Sequence, residues 1–181
     1  MSELELICKK GDLNEIKKII NDDNIDDIFI FSCGYGHLEC AKYLININKN
    51  IDIHAYREYA FRWSCENGHF EVAKWLYSFG DVDIHILDEW AFRWSCVNGQ
   101  SEVAKWLYGL GDVDIHIADE HAFRWSCVNS HFEVAKWLCK ICKNYSYRID
   151  AKDNVMCIIK SDFEIERMLN CKKYFDLIVR C

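Results

Sequence analysis

Apolar and small residues at Phe61, Ser64 and Cys65 fall at i, i+3 and i+4, one face of a helix of about three turns. Asn67-Gly68 then breaks the pattern, since both residues tolerate the left-handed conformation at a helix end. A second helix is predicted from near His69, with Val72, Trp75, Leu76 and Phe79 spaced i, i+3, i+4, i+7 and Gly80 ending it. Asp81 to His85 then leads out as an extended connection. The predicted unit is helix, tight turn, helix, loop.

This unit recurs almost letter for letter. AFRWSCENGHFEVAKWLY from Ala60 returns as AFRWSCVNGQSEVAKWLY from Ala91 and AFRWSCVNSHFEVAKWLC from Ala122, a period of 31 residues. The same pattern is visible earlier in GYGHLECAKYL after Cys33 and in KKGDLNEIKKI after Cys8. A degraded form of the second helix is read at IIKSDFEIERML, Ile158 to Leu169. Neither helix of a pair can bury its apolar face alone, so the copies exist to stack on one another. The expected organisation is one array of about six units: an N-terminal cap over 1–24, repeats over 25–55, 56–86, 87–117 and 118–147, and a degenerate C-terminal cap over 148–181.

SC-EN-GHFEVAKWL, Ser64 to Leu76, resembles the second half of the ankyrin repeat, and Ile149-Asp150-Ala151-Lys152-Asp153 resembles that family's linker. The resemblance implies an all-α array of stacked helix-turn-helix units whose loops and first-helix starts grip protein partners. Two departures stand out. The family's T-P-L-H start is replaced by Tyr59-Ala60-Phe61-Arg62, and the short period implies clipped loops in place of projecting hairpins. The Trp-rich style is similar to ankyrin proteins of giant DNA viruses of amoebae, of the mimivirus type.

Composition narrows the function. Hydrophobic residues make up 51% and charged residues 28%, a globular balance. Acids outnumber bases by 29 to 22 without a basic run, so neither nucleic acid nor an anionic membrane surface is an expected partner. No apolar run approaches the roughly 20 residues of a membrane span. The N-terminal MSELELICKKGD lacks the basic start and apolar stretch of a secretion signal. The expected location is therefore cytoplasmic, a host's cytoplasm if the chain is viral. The 11 cysteines are read as reduced thiols.

The residues that could carry chemistry recur as ladders, whereas catalysis and metal binding need convergence. Cys8, Cys33, Cys65, Cys96 and Cys127 share one repeat position, where alanine-sized residues let helices approach. Packed helices lie about 8–10 Å apart, too far for several rungs to reach one zinc at about 2.0–2.3 Å. Cys139-Lys140-Ile141-Cys142 is a lone CxxC near Cys157 and Cys171, with no second pair at zinc-finger spacing. His54, His85 and His116 follow Asp52, Asp83 and Asp114 in the loops, where short polar side chains bond their own backbone. Arg62, Arg93 and Arg124 each follow a glutamate by four positions, which predicts i, i+4 bridges in preference to an anion-binding stripe. Tryptophans at helical spacing are read as core. No phosphate-binding glycine loop, HExxH or GxSxG is present. The expectation is a non-enzymatic protein without metal, cofactor or small-molecule substrate.

What differs between near-identical copies was not needed for stacking. Tyr56-Arg57 becomes Leu87-Asp88 and then Ala118-Asp119, and Tyr59 becomes Trp90 and then His121. Glu66 becomes Val97 and then Val128. Tyr56, Tyr59, Leu87, Trp90 and His121 are the expected anchors for a partner protein, since Tyr and Trp favour interfaces. Ala118 is also an expected partner-binding position, and Arg57, Asp88 and Asp119 would exclude wrong partners. The alternative function is an adaptor that recruits a host ubiquitin-ligase component through residues 143–181.

Overall fold

The structure is a computed structural model that describes residues 2–149, 155–160 and 166–170. It divides into two compact units, Met1–Ala91 and Phe92–Cys181. Ten helices are present among the described residues, and they come in pairs. The pairs are α1 (Glu3–Lys10) with α2 (Leu13–Ile19), α3 (Ile25–Gly34) with α4 (Leu38–Ile47), and α5 (Ala55–Glu66) with α6 (Phe70–Tyr77). They continue with α7 (Ile86–Val97) and α8 (Ser101–Leu110), then α9 (Ile117–Val128) and α10 (Phe132–Ile141). Among the described residues no helix is long and apolar enough to cross a membrane. Residues 81–85 between α6 and α7 form no strand, so the clipped loop expected there is what the structure has.

The α3–α4 and α5–α6 pairs turn the same way. Gly36 and Gly68 carry φ of 83° and 77°, and the next residue's amide returns to a buried serine: His37 to the Ser32 carbonyl and His69 to the Ser64 carbonyl, both at 2.8 Å. Glycine is needed here for space as well as for φ. A Cβ on Gly36 would lie 2.4 Å from Nδ1 of His69, and one on Gly11 only 2.2 Å from that of His37. The Gly-His dipeptide is thus half of a contact between consecutive copies. Asn67 adds a second contact, its amide donating to the Gly34 carbonyl at 3.2 Å, and Asn129 repeats it on the Val97 carbonyl at 2.9 Å.

In the core, Phe29, Phe61, Phe92 and Phe123 are the largest side chains that are fully buried, with Cys8, Cys33, Cys65, Cys96 and Cys127 beside them as free thiols. Burial pushes the Cys33, Cys65 and Cys96 thiols far above their ordinary range, which makes them inert core residues. The tryptophans correct the sequence reading. Trp63, Trp75, Trp94, Trp106, Trp125 and Trp137 are half-buried, and they lie across repeat faces. Trp75 packs on Phe29 and Trp137 on Phe92, with ring centroids 6.4 and 6.3 Å apart. Phe79 falls beyond the end of α6 and is 48% exposed, so the predicted apolar stripe stops at Leu76.

The C-terminal residues differ from the degraded repeat that the pattern suggested. β1 (Tyr145–Ile149), β2 (Val155–Lys160) and β3 (Glu166–Asn170) form an antiparallel sheet in that order, with Tyr145 opposite Ile159 and Met156 opposite Asn170. Residues read as helix from Ile158 to Leu169 are therefore strand where described, and VMCIIK is the β-favouring stretch that wins. Asp150 to Asp153 of the linker-like motif, and Cys171, lie outside the described residues. Tyr145 is buried and stacks on Phe123 at 4.3 Å with rings 2° from parallel. Its hydroxyl donates to Glu120 Oε2 and lies 3.0 Å from His116 Nδ1, so one side chain closes both the apolar and the polar end of that repeat.

Candidate functional site

The residues that vary between copies sit on an unusual backbone. Tyr56, Arg57 and Glu58 have φ of 52°, 59° and 58°, and Leu87, Asp88, Glu89 and Ala118, Asp119, Glu120 repeat this at 55–61°. The helices α5, α7 and α9 thus each open with three consecutive left-handed residues, none of them glycine. At roughly 1–2 kcal/mol per residue this conformation has to be held from outside.

The holding groups are the ones that never vary. His54 Nδ1 donates to Glu58 Oε1 at 2.8 Å, and the same pairing joins His85 to Glu89 at 2.8 Å and His116 to Glu120 at 3.0 Å. Asp52, Asp83 and Asp114 accept the backbone N–H of His54, His85 and His116 at 2.9–3.0 Å, the local bonding expected of this loop. Arg62 donates to the carbonyls of Arg57 at 2.7 Å and Tyr56 at 3.1 Å. In the last repeat Arg124 donates to the Asp119 carbonyl at 3.0 Å and also pairs with its carboxylate. The expected i, i+4 bridge from Glu58 to Arg62 is not formed, because a left-handed turn intervenes. The glutamate pairs with histidine and the arginine with carbonyls. Charge-assisted bonds of this kind contribute about 1.5–3 kcal/mol each, enough to offset the strain.

Relief of that strain is measurable. Ala118 is exposed at φ 55°, so Ala118→Gly removes the Cβ conflict and is expected to raise stability by about 1 kcal/mol in urea titration. An ordinary right-handed start to α9 would instead make the same glycine destabilising.

The predicted anchors occupy two levels. Tyr56 is 71% exposed, and Arg57, Asp88, Ala118 and Asp119 are exposed on the turns, with Leu87 half-buried. One turn further on, Tyr59 is 38% exposed while Trp90 and His121 are half-buried. The second level also has packing duties that the comparison of copies missed. The Arg62 guanidinium lies over Tyr59 at 5.4 Å and over Trp90 at 5.2 Å, between two aromatic rings. Burial, with the charges of Arg93 and Arg124 behind it, lowers His121 to about 4, so its ring is neutral beside those cations. Position 59/90/121 thus holds a ring in each copy, and two of those rings, Tyr59 and Trp90, face Arg62.

A groove of about 380 Å³ joins the two levels, lined by Asp27, Ile30 and Phe31 of α3 and by Tyr56, Tyr59 and Arg62 of α5. Among the described residues no group of three or more His, Cys, Asp and Glu side chains is arranged to hold a metal ion. Cys139 is half-buried on α10 and Cys142 is its C-cap, both as free thiols, and burial pushes Cys139 up to about 11.

Residues 4–88 match the family model for ankyrin repeats in three copies. The fold is the ankyrin-repeat fold. Among 81 matching chains of solved structures is the crystal structure of the human ASB11 ankyrin repeat domain, at a TM-score of 0.57 and 18% identity over 78% of this chain and 69% of that one. No curated protein sequence matches. Ankyrin repeats generally mediate protein–protein interaction and typically serve as non-enzymatic scaffolds. In ankyrin terms, the left-handed turn stands where the helix start would ordinarily be set by the T-P-L-H motif. Here the His-Glu-Arg set performs that task.

Proposed function

We propose that the protein is a non-enzymatic interaction module that binds a partner protein through its left-handed turns and the following helical turn. The observation that carries this reading is the division of labour within each turn. The third left-handed residue and its clamp are constant, while the first differs in every copy, the second is Arg in one copy and Asp in two, and these positions are mostly exposed. Tyr56, Arg57, Leu87, Asp88, Ala118 and Asp119 form the outer recognition set, and Tyr59, Trp90 and His121 the inner one. A host-cytoplasm setting and the viral origin suggested by the Trp-rich style belong to the same proposal, as does the absence of cofactor, metal, nucleic-acid and membrane partners.

The test is affinity capture from source-cell lysate, read by quantitative mass spectrometry. The native chain is compared with a Tyr56→Ser, Leu87→Ser variant, which keeps the clamp because the carbonyls it uses remain. A specific protein captured by the native chain should fall about tenfold or more with the variant, at unchanged helicity. Equal capture by both would overturn the assignment to the turns. Under the adaptor alternative, capture of a ligase component would survive the turn variant and vanish when residues 146–181 are deleted, a truncation that leaves Tyr145 in place.

A further inference from the structure

Charge is segregated along the first unit. Residues 21–27, 52–58 and 81–89, the loops and first-helix starts, carry ten acidic residues and a single Lys or Arg, Arg57. The second helices differ, for there each acid has a lysine three positions on: Lys18–Glu15 at 2.6 Å, Lys42–Glu39 at 3.0 Å and Lys74–Glu71 at 2.6 Å. Some acids of the loop side are committed internally, Asp52 and Asp83 to backbone and Glu58 to His54. Asp27, by contrast, is exposed and has no ion pair among the described residues, and it lines the groove. The other lining residues are apolar or aromatic, apart from Arg62. Arg62 is 6% exposed and already committed to two carbonyls and two rings, so it forms the floor while Asp27 and Tyr56 form the rim.

We propose that this groove takes a basic, amphipathic segment of the partner protein. The inference rests on the interaction-module reading and adds the chemistry of the partner. An aliphatic or aromatic side chain of the segment packs on Ile30, Phe31 and Tyr59. A neighbouring Lys or Arg meets the Asp27 carboxylate and the exposed ring of Tyr56, where a cation gains from both. The acidic loops raise the local concentration of such a segment and speed its encounter, and they repel acidic competitors. The single basic residue of this side, Arg57, works against binding.

Selection of a displayed library of random dodecapeptides on the full chain tests this directly. The enriched peptides should combine Lys or Arg with a nearby aliphatic or aromatic residue. A synthetic enriched peptide, followed by fluorescence anisotropy, should bind about tenfold more weakly to Asp27→Lys and more tightly to Arg57→Glu, with affinity falling as salt rises. Both sites are exposed, so both variants should keep the native circular dichroism, and a Lys74→Glu variant on the second-helix side should bind as the native chain does. Enrichment of acidic or uncharged peptides would overturn the proposal while leaving the interaction module standing. Basic peptides indifferent to Asp27→Lys would overturn the groove assignment. Enrichment of nothing overturns it as well, and equal capture by the native chain and the turn variant in the lysate experiment would then remove the broader reading too.

Discussion

Phe123→Ala is expected to destabilise the protein by about 3–5 kcal/mol, a large share of the roughly 5–15 kcal/mol that holds a typical domain folded. Phe123 is 0% exposed and stacks face to face on the buried ring of Tyr145. Truncation leaves a cavity that rigid helix backbones cannot close, and it removes the surface against which Tyr145 is seated. The loss therefore reaches the polar end of the repeat, where the Tyr145 hydroxyl contacts Glu120 and His116. Urea titration of the full chain provides the measurement. Trp125→Ala is the comparison, since Trp125 is half-buried and should cost clearly less. A Phe123→Ala effect below about 1.5 kcal/mol, or equal losses at the two positions, would mean that Phe123 is not a principal core side chain of its unit.

The second large effect is expected at Gly36. A Cβ there is penalised twice: its φ of 83° suits glycine, and the added atom would lie 2.4 Å from the His69 ring. The conformational part costs about 1–2 kcal/mol, and forcing a neighbour aside in a packed site costs typically 1–3. Gly36→Ala should thus cost roughly 2–4 kcal/mol. Gly80→Ala isolates the conformational part, because Gly80 has a φ of 86° with nothing within 4 Å of the added Cβ. His69→Ala in the Gly36→Ala background should restore part of the loss, a coupling that a double-mutant cycle reads as non-additivity. If Gly36→Ala and Gly80→Ala cost the same, the steric account of the Gly-His contact is wrong.

The helical architecture was legible because its causes are local. Period 3.6 in the apolar residues and Asn-Gly at the turn suffice to place α5 and α6, and repetition extends them along the chain. The left-handed turn was not legible, and the reason is energetic. No local preference selects Tyr56-Arg57-Glu58 for φ above zero, so propensity reads them as helix and reads Glu58 and Arg62 as neighbours one turn apart. The conformation exists because His54 and Arg62 bind groups that it brings within reach. Invariance of His, Glu and Arg around two varying residues is the available signal, but spacing alone splits it into a His-Asp loop ladder and a Glu-Arg ladder.

The tryptophans were misplaced for a geometric reason. Trp63 is two residues from Phe61, about 200° around the helix, so it cannot share the face that Phe61 buries. It packs instead among Phe31, Tyr35 and Tyr59, at 6.0, 5.1 and 5.6 Å. Trp90 shows the limit of comparing copies. Its position varies, but the side chain covers Arg62, so variation there is substitution among rings and not freedom from structural duty.

Tyr145 engages a phenylalanine, a histidine and a glutamate, and this trio is present in every central copy as Phe61, His54 and Glu58 or Phe92, His85 and Glu89. Tyr145 therefore reads nothing private to the copy it follows. A gene that gained or lost one 31-residue module between two central copies would still present Tyr145 with the same three partners. Repeat number becomes an inheritable variable, and each new module arrives with two rewritable letters on a prepared turn.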